Sequence, residues 1–175
     1  MRRILALLFG MLVATPAVAD DTGDMRAAAT GFYGVYATFH PSDGVPGAKD
    51  RAKYHPYLSP ALEALLADAD AAEQRYAKAN KDSPPMVEGD LFSSLFEGAT
   101  SVSIGTCEAS GATGHCAVNL VYAETGTKPT DWTDTILLVK TPDGWRVDDI
   151  AYGGSWAFGN KGRLTATLRQ VIAFQ

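Results

Sequence analysis

The chain has 175 residues, of which 46% are hydrophobic and 20% charged, with 17 Gly, 9 Pro and two Cys. That length suits one domain, and the apolar share is too high for a disordered chain and too low for a polytopic membrane protein. A net charge of −5 argues against tracking a phosphate backbone, and two Cys cannot build a four-thiolate metal site.

Arg2 and Arg3 precede an apolar run from Ile4 to Val13, and Ala17-Val18-Ala19 follows Pro16 with a small-x-small pattern. This order is that of a secretory signal peptide over residues 1–19, cut between Ala19 and Asp20. The 15 residues from Ile4 to Val18 are too few for a membrane span, which needs about 20. Cleavage therefore leaves no stable membrane anchor and points to a periplasmic protein. It removes two Arg and no acid, taking the net charge from −5 to −7. Residues 20–175 then form the single domain.

Met25, Ala28, Ala29, Phe32, Val35, Tyr36 and Phe39 recur at helical spacing, which predicts a helix over 24–39 capped by Asp24 or Thr22. The stretch from His40 to Lys53 reads as a polar surface loop. Ser59-Pro60 opens a second helix, a hydroxyl at the cap and Pro at the first turn. Leu62, Leu65, Leu66, Ala69, Ala72 and Tyr76 line its apolar face. Glu63, Asp68, Asp70, Glu73 and Lys78 mostly read as its solvated side. Gly89 to Phe96 predicts a short capped turn, with Asp90 as a helix cap.

Beyond Gly98 the period falls to two, giving strands at 100–107, 116–124, 131–141 and 145–152. The last two are joined by Thr141-Pro142-Asp143-Gly144, a strong turn signal. Cys107 and Cys116 flank a Gly-containing turn and face each other across the first hairpin. In an exported protein they pair, a structural disulfide rather than a redox couple of Cys-x-x-Cys spacing. A Gly- and aromatic-rich loop, 153–162, leads to a last helix carrying Leu164, Leu168, Val171 and Ile172. The pattern is α+β: N-terminal helices packed on a curved four-stranded antiparallel meander, with a short C-terminal helix.

Two stretches carry a resemblance. Gly89-Asp90-Leu91-Phe92-Ser93-Ser94-Leu95-Phe96-Glu97-Gly98 and Gly144-Trp145-Arg146-Val147-Asp148-Asp149-Ile150-Ala151-Tyr152 are similar to the two signature regions of the family called domain of unknown function 3828. That family consists mainly of bacterial envelope proteins and resembles the nuclear transport factor 2-like superfamily, in which a curved sheet wraps helices into a cone. The likeness spans about residues 26–152. It implies an envelope location but no general reaction, because the wider superfamily holds both enzymes and binding domains.

Asp148 and Asp149 are neighbours on a strand and cannot form a dyad, since they point to opposite faces. By strict alternation Trp145, Val147, Asp149 and Ala151 share one face and Arg146, Asp148, Ile150 and Tyr152 the other; parity leaves either Asp as the inward one, and the company of Trp145 and Val147 favours Asp149. In an apolar pocket such a carboxylate can move protons. Bonded to backbone N–H groups or an Arg, it is structural. Glu97, at the entrance to the first strand, is a third candidate at a pocket mouth. His40, His55 and His115 lie in separate segments without metal-ligand spacing, so no metal or cofactor is expected. Gly153-Gly154-Ser155-Trp156-Ala157 departs from a nucleophile elbow at its last residue, and no His follows Ser155. Trp132, Tyr152, Trp156 and Phe158 crowd the last third and suit either a binding lip or a plug for the cone. The sequence thus favours an exported, non-enzymatic binding or accessory domain, with an immunity or inhibitor protein as one version and another envelope protein as partner. The alternative is a small-molecule lyase, isomerase or hydrolase using a buried carboxylate.

Overall fold

The computed structural model describes residues 20–39 and 44–174. The expected leader over residues 1–19 and its cleavage site before Asp20, together with His40, lie outside or at the border of this range. No helix among the described residues is long and apolar enough to cross a membrane.

The elements are α1 (Asp21–Thr38), α2 (Ala48–Tyr54), a 3-10 turn (His55–Tyr57), α3 (Pro60–Ala79), β1 (Ser101–Ser110), β2 (Thr113–Tyr122), β3 (Thr130–Thr141), β4 (Gly144–Ala151) and α4 (Leu164–Ala173). The strands form one antiparallel sheet in the order β1-β2-β3-β4, the expected meander. The architecture is α+β.

Helix α1 starts earlier than the apolar period indicates. Asp20, not Asp24 or Thr22, is its cap: the carboxylate accepts from the Gly23 N–H at 3.0 Å and from the Thr22 hydroxyl at 2.8 Å. Asp21 in the first turn accepts from Lys140 Nζ at 2.5 Å and from the Trp145 indole at 3.0 Å, tying the helix start to the β3–β4 hairpin. These two bonds hold the Asp21 carboxyl below the usual carboxylate range.

The stretch expected as a loop before Lys53 contains α2. Its Arg51 reaches Asp70 of α3 at 3.3 Å, and Gln74 donates to the same carboxylate at 2.7 Å. Asp70, expected on the solvated face, is therefore buried. Ser59 caps α3 as expected, accepting from the Leu62 N–H at 3.0 Å, and its own hydroxyl donates to Asp148 at 2.5 Å. Its backbone N–H donates to Val147 O at 2.8 Å, so the cap is fastened to β4.

Cys116, Val118, Leu120, Trp132, Ile136, Leu138, Trp145, Val147 and Ile150 turn inward from the sheet and are buried. Met25, Ala29, Phe32, Tyr33 and Tyr36 of α1 meet them. Rings fill the space between: Phe32 lies 5.1 Å from both Tyr33 and Tyr54 and 5.2 Å from Phe92, and Tyr54 lies 5.0 Å from Phe92. The close approach of the 3-10 turn to α1 requires Gly31, because a Cβ there would sit 2.1 Å from the Tyr57 ring. Burial pushes the phenols of Tyr33, Tyr36, Tyr54 and Tyr152 upward.

Cys107 and Cys116 are opposite one another in the β1–β2 register and are bonded, with Cα atoms 4.0 Å apart. Just before Cys107 the β1–β2 register shifts, and Arg26 of α1 donates to Ile104 O at 2.7 Å beside this irregularity.

Candidate binding surface

Two loops converge at one end of the sheet, residues 86–98 between α3 and β1 and residues 153–162 between β4 and α4. Their junction is Asp134 of β3, which has no solvent exposure. One carboxylate oxygen accepts from the Ser94 hydroxyl and from the Gly153 N–H at 2.8 Å. The other accepts from the Ser94 N–H at 2.9 Å and from the Trp132 indole at 3.2 Å. Sequence reasoning missed this residue, although strand alternation places it with Trp132 and Ile136 on the inward face. An Asp at such a position must find donors, since an unsatisfied buried carboxylate is costly.

Further bonds bind the loops together. Gly154 N–H donates to Ser94 Oγ at 2.9 Å, and Asn160 N–H to Ser94 O at 2.9 Å. Asn160 Nδ2 donates to Asp90 O at 2.6 Å and to Ser93 O at 2.7 Å. A Cβ at Gly153 would lie 2.1 Å from Thr133 O, so only glycine allows the chain to pass this close to β3. The Asp90 carboxylate accepts from the Phe92 N–H at 2.7 Å and from the Tyr36 hydroxyl. No helix follows Asp90, so the expected helix cap is instead the cap of a non-helical turn.

The four aromatic lip candidates separate. Trp132 and Tyr152 are buried and belong to the core; the Tyr152 hydroxyl donates to Leu91 O at 2.7 Å. Trp156 stands edge-on to Trp132, with ring centroids 5.3 Å apart, and covers it. Phe158 is the exposed member, 77% accessible at the loop tip. Phe96, on the facing loop, is also exposed.

The acidic candidates lie elsewhere. In β4 the register shifts between Leu137 and Leu138, which pair with Asp149 and Val147 and leave Asp148 as the extra residue. This bulge reverses the parity, so Asp149 leaves the face of Trp145 and Val147, and Ile150 takes the inward position opposite Ile136. Expecting Asp149 inward with Trp145 and Val147 is thereby corrected. Asp149 is buried nonetheless, because it caps α4 from outside the helix. It accepts from the Thr165 N–H and Thr165 hydroxyl, both at 2.9 Å, and from the Ile150 N–H at 2.9 Å, with Arg163 at 3.6 Å. The helix's own flanking residue, Arg163, supplies no cap. Asp148 and Asp149 line an open groove of about 490 Å³ with Glu108, His115 and Arg163. Glu97 is exposed near the start of β1. Glu97 thus lies apart from Asp148 and Asp149, which line one groove.

His55 and Glu63 meet at 2.5 Å beside a groove of about 540 Å³, and His115 lies 3.8 Å from Glu108. Among the described residues, no group of three His, Cys, Asp or Glu is arranged to hold a metal ion. A further groove of about 420 Å³ reaches the two loops at Glu88 and Asn160 and is otherwise lined chiefly by Tyr76, Thr167, Gln170 and Phe174.

No protein-family model matches the chain, and no curated protein matches it. It is similar to a solved protein of unknown function from Bacteroides thetaiotaomicron, with 13% sequence identity and a TM-score of 0.35, covering 75% of this chain and 88% of the other.

Proposed function

We propose that the chain is an exported, non-enzymatic binding domain of the bacterial envelope, immunity- or inhibitor-like, that engages a protein partner through the exposed aromatic rings of its two joined loops, Phe158 above all. In this reading the α+β fold is a cone of the nuclear transport factor 2-like kind, related to the domain of unknown function 3828 family. The protein works in the periplasm after cleavage before Asp20. The observation that carries the reading is the state of the interior. Rings of Phe32, Tyr33, Tyr54 and Phe92 fill the space under the sheet, and Asp134, one of two carboxylates buried there with Asp90, accepts four hydrogen bonds. A carboxylate so committed is a structural node, not a proton carrier for a substrate. The same bonds hold two loops rigid while leaving Phe158 exposed, which suits a preorganised protein contact.

The test is capture of a partner from periplasmic extract with residues 20–175 as bait. One stoichiometric partner should be retained by the wild type and lost by Phe158→Ala, with the melting temperature of the bait unchanged. Absence of any partner, together with a co-purifying small molecule whose turnover is lost in Asp149→Asn, would move the assignment to the lyase, isomerase or hydrolase alternative.

A further inference from the structure

We propose that the groove between the C-terminal ends of α3 and α4 receives a cationic side chain, lysine or arginine, from a protein partner. This rests on the binding function above and names the chemistry that the partner presents.

Three independent features of the groove point to a cation. First, its polar lining is biased toward acceptors. Glu88 offers only a carboxylate. Asn160 lines the groove, but both hydrogens of its amide are spent on Asp90 O and Ser93 O, so only Oδ1 remains to meet a ligand. Thr167 has given its hydroxyl hydrogen to Arg163 O at 3.4 Å, leaving an oxygen that accepts. Gln170 and the Tyr76 hydroxyl can take either role. None of the described residues lining the groove is Lys, Arg or His.

Second, two helix ends meet here. Tyr76 is in the last turn of α3, and Gln170 and Val171 are in the last turn of α4. The C-terminal end of a helix carries a partial negative charge, although here Tyr76 O accepts from Asn80 and the Gln170 and Val171 carbonyls accept from the Phe174 N–H. The last turn of α4 contains no basic residue to neutralise this charge, whereas that of α3 carries Lys78.

Third, the walls are aromatic and apolar. Tyr76 and Phe174 pack edge to face with centroids 5.7 Å apart, and Phe174 is 62% exposed. Such rings attract a cation over their faces and also cover the aliphatic stem of Lys or Arg. The volume of about 420 Å³ admits one such side chain. A donor-rich head with an apolar stem suits this lining, in which the Glu88 carboxylate, Asn160 Oδ1 and the Thr167 hydroxyl oxygen act as acceptors and only Gln170 and the Tyr76 hydroxyl can also donate.

Charge complementarity extends beyond the groove. Residues 20–175 carry a net charge of −7 on the export reading, which favours encounter with a basic partner.

The experiment titrates residues 20–175 with three neutral-capped amino acids: N-acetyl-arginine methylamide, N-acetyl-lysine methylamide and N-acetyl-norleucine methylamide. NMR shifts of Gln170 and Phe174 report occupancy. Both cationic probes should saturate these signals at millimolar concentration, and the norleucine probe should not. Glu88→Gln should weaken the cationic probes about three- to fivefold, with an unchanged melting temperature because Glu88 is exposed. Thr167→Val should weaken them as well. Equal binding of the norleucine probe, or no shift at Gln170 and Phe174 with either cation, overturns the inference. Partner capture separates the two levels. A partner lost by Phe158→Ala but retained by Glu88→Gln would leave the binding function standing and remove this groove from it. Failure to capture any partner would count against the function itself.

Discussion

Asp134 and Ser94 are joined twice, once through the Ser94 backbone N–H and once through its hydroxyl, across 40 residues of sequence. The pairing makes one side chain of β3 the anchor of a loop that precedes the sheet. Since the same carboxylate holds Gly153, the loop that follows the sheet is anchored at the same point.

Replacing Asp134 should therefore be among the most destabilising changes in the chain. Asp134→Ala leaves the Ser94 and Gly153 N–H groups, the Ser94 hydroxyl and the Trp132 indole without their acceptor, at a cost of roughly 3–4 kcal/mol. Asp134→Asn keeps one oxygen but turns an NH2 group toward donors, so it should recover little. Ser94→Ala, which removes one hydroxyl, should cost about 1–2 kcal/mol. Urea denaturation measures all three, and the Asp134→Ala, Ser94→Ala pair should be clearly non-additive. A loss below that of Ser94→Ala for Asp134→Ala would show that the carboxylate is not the anchor.

Much of this fold is legible in the sequence because hairpins are local. The alternation on either side of Thr141 to Gly144, and on either side of the Cys107–Cys116 turn, places all four strands and the disulfide. What escapes is whatever depends on a non-local event. The bulge at Asp148 inverts the parity of one residue pair, and no turn or Gly marks it, so Asp149 reads as inward when it caps α4 instead. Helix α2 has seven residues and a single buried one, Tyr54, too little for a periodic signal. The aromatic candidates share a composition but not an environment. Trp132 is core because it donates to Asp134, and Phe158 is surface because nothing encloses it.

The disulfide should contribute about 2–3 kcal/mol in the chain-entropy account for so short a loop. It bonds directly opposed residues at the point where the β1 register shifts, so it also holds that register. The double variant Cys107→Ala, Cys116→Ala should lower the denaturation midpoint while leaving the β2–β3 and β3–β4 hairpins folded. Hydrogen exchange should show the loss of protection concentrated in β1. A uniform loss across the sheet would contradict a local role.

Gly31 offers a test whose sign changes with background. In an isolated helix Gly→Ala stabilises by about 1 kcal/mol. Here the added Cβ would stand 2.1 Å from the Tyr57 ring, and forced displacement of a packed ring costs roughly 1–3 kcal/mol. Gly31→Ala should therefore destabilise the wild type. In a Tyr57→Ala background, where the ring is gone, the same change should stabilise by up to about 1 kcal/mol. Thermal melts of the four proteins suffice. If Gly31→Ala has the same sign in both backgrounds, the 3-10 turn does not press on α1 as described.

The buried phenols set the behaviour at high pH. Tyr33 and Tyr152 are held far above the ordinary value of 10.0, first by desolvation and then by the negative field of Asp134, Asp90 and their neighbours. In the unfolded chain they ionise near 10.0; in the folded chain they keep their protons. The folded state thus binds more protons than the unfolded state above pH 10, so stability falls as pH rises from there. Below pH 10 both states are neutral and the full stability is present. Each tyrosine adds a slope of about 1.4 kcal/mol per pH unit once past its unfolded pKa. Unfolding should therefore be cooperative and steep above pH 10, and the share of tyrosinate absorbance that is lost in Tyr33→Phe and Tyr152→Phe should rise with the loss of circular dichroism rather than before it. Tyr33→Phe removes one such group along with its bond to Phe92 O, and it should make the alkaline slope shallower while lowering stability modestly at neutral pH. Tyrosinate absorbance for these residues appearing at pH 10 in the still-folded protein would mean that the rings under the sheet are open to solvent, and with that the filled interior on which the binding function rests would fall.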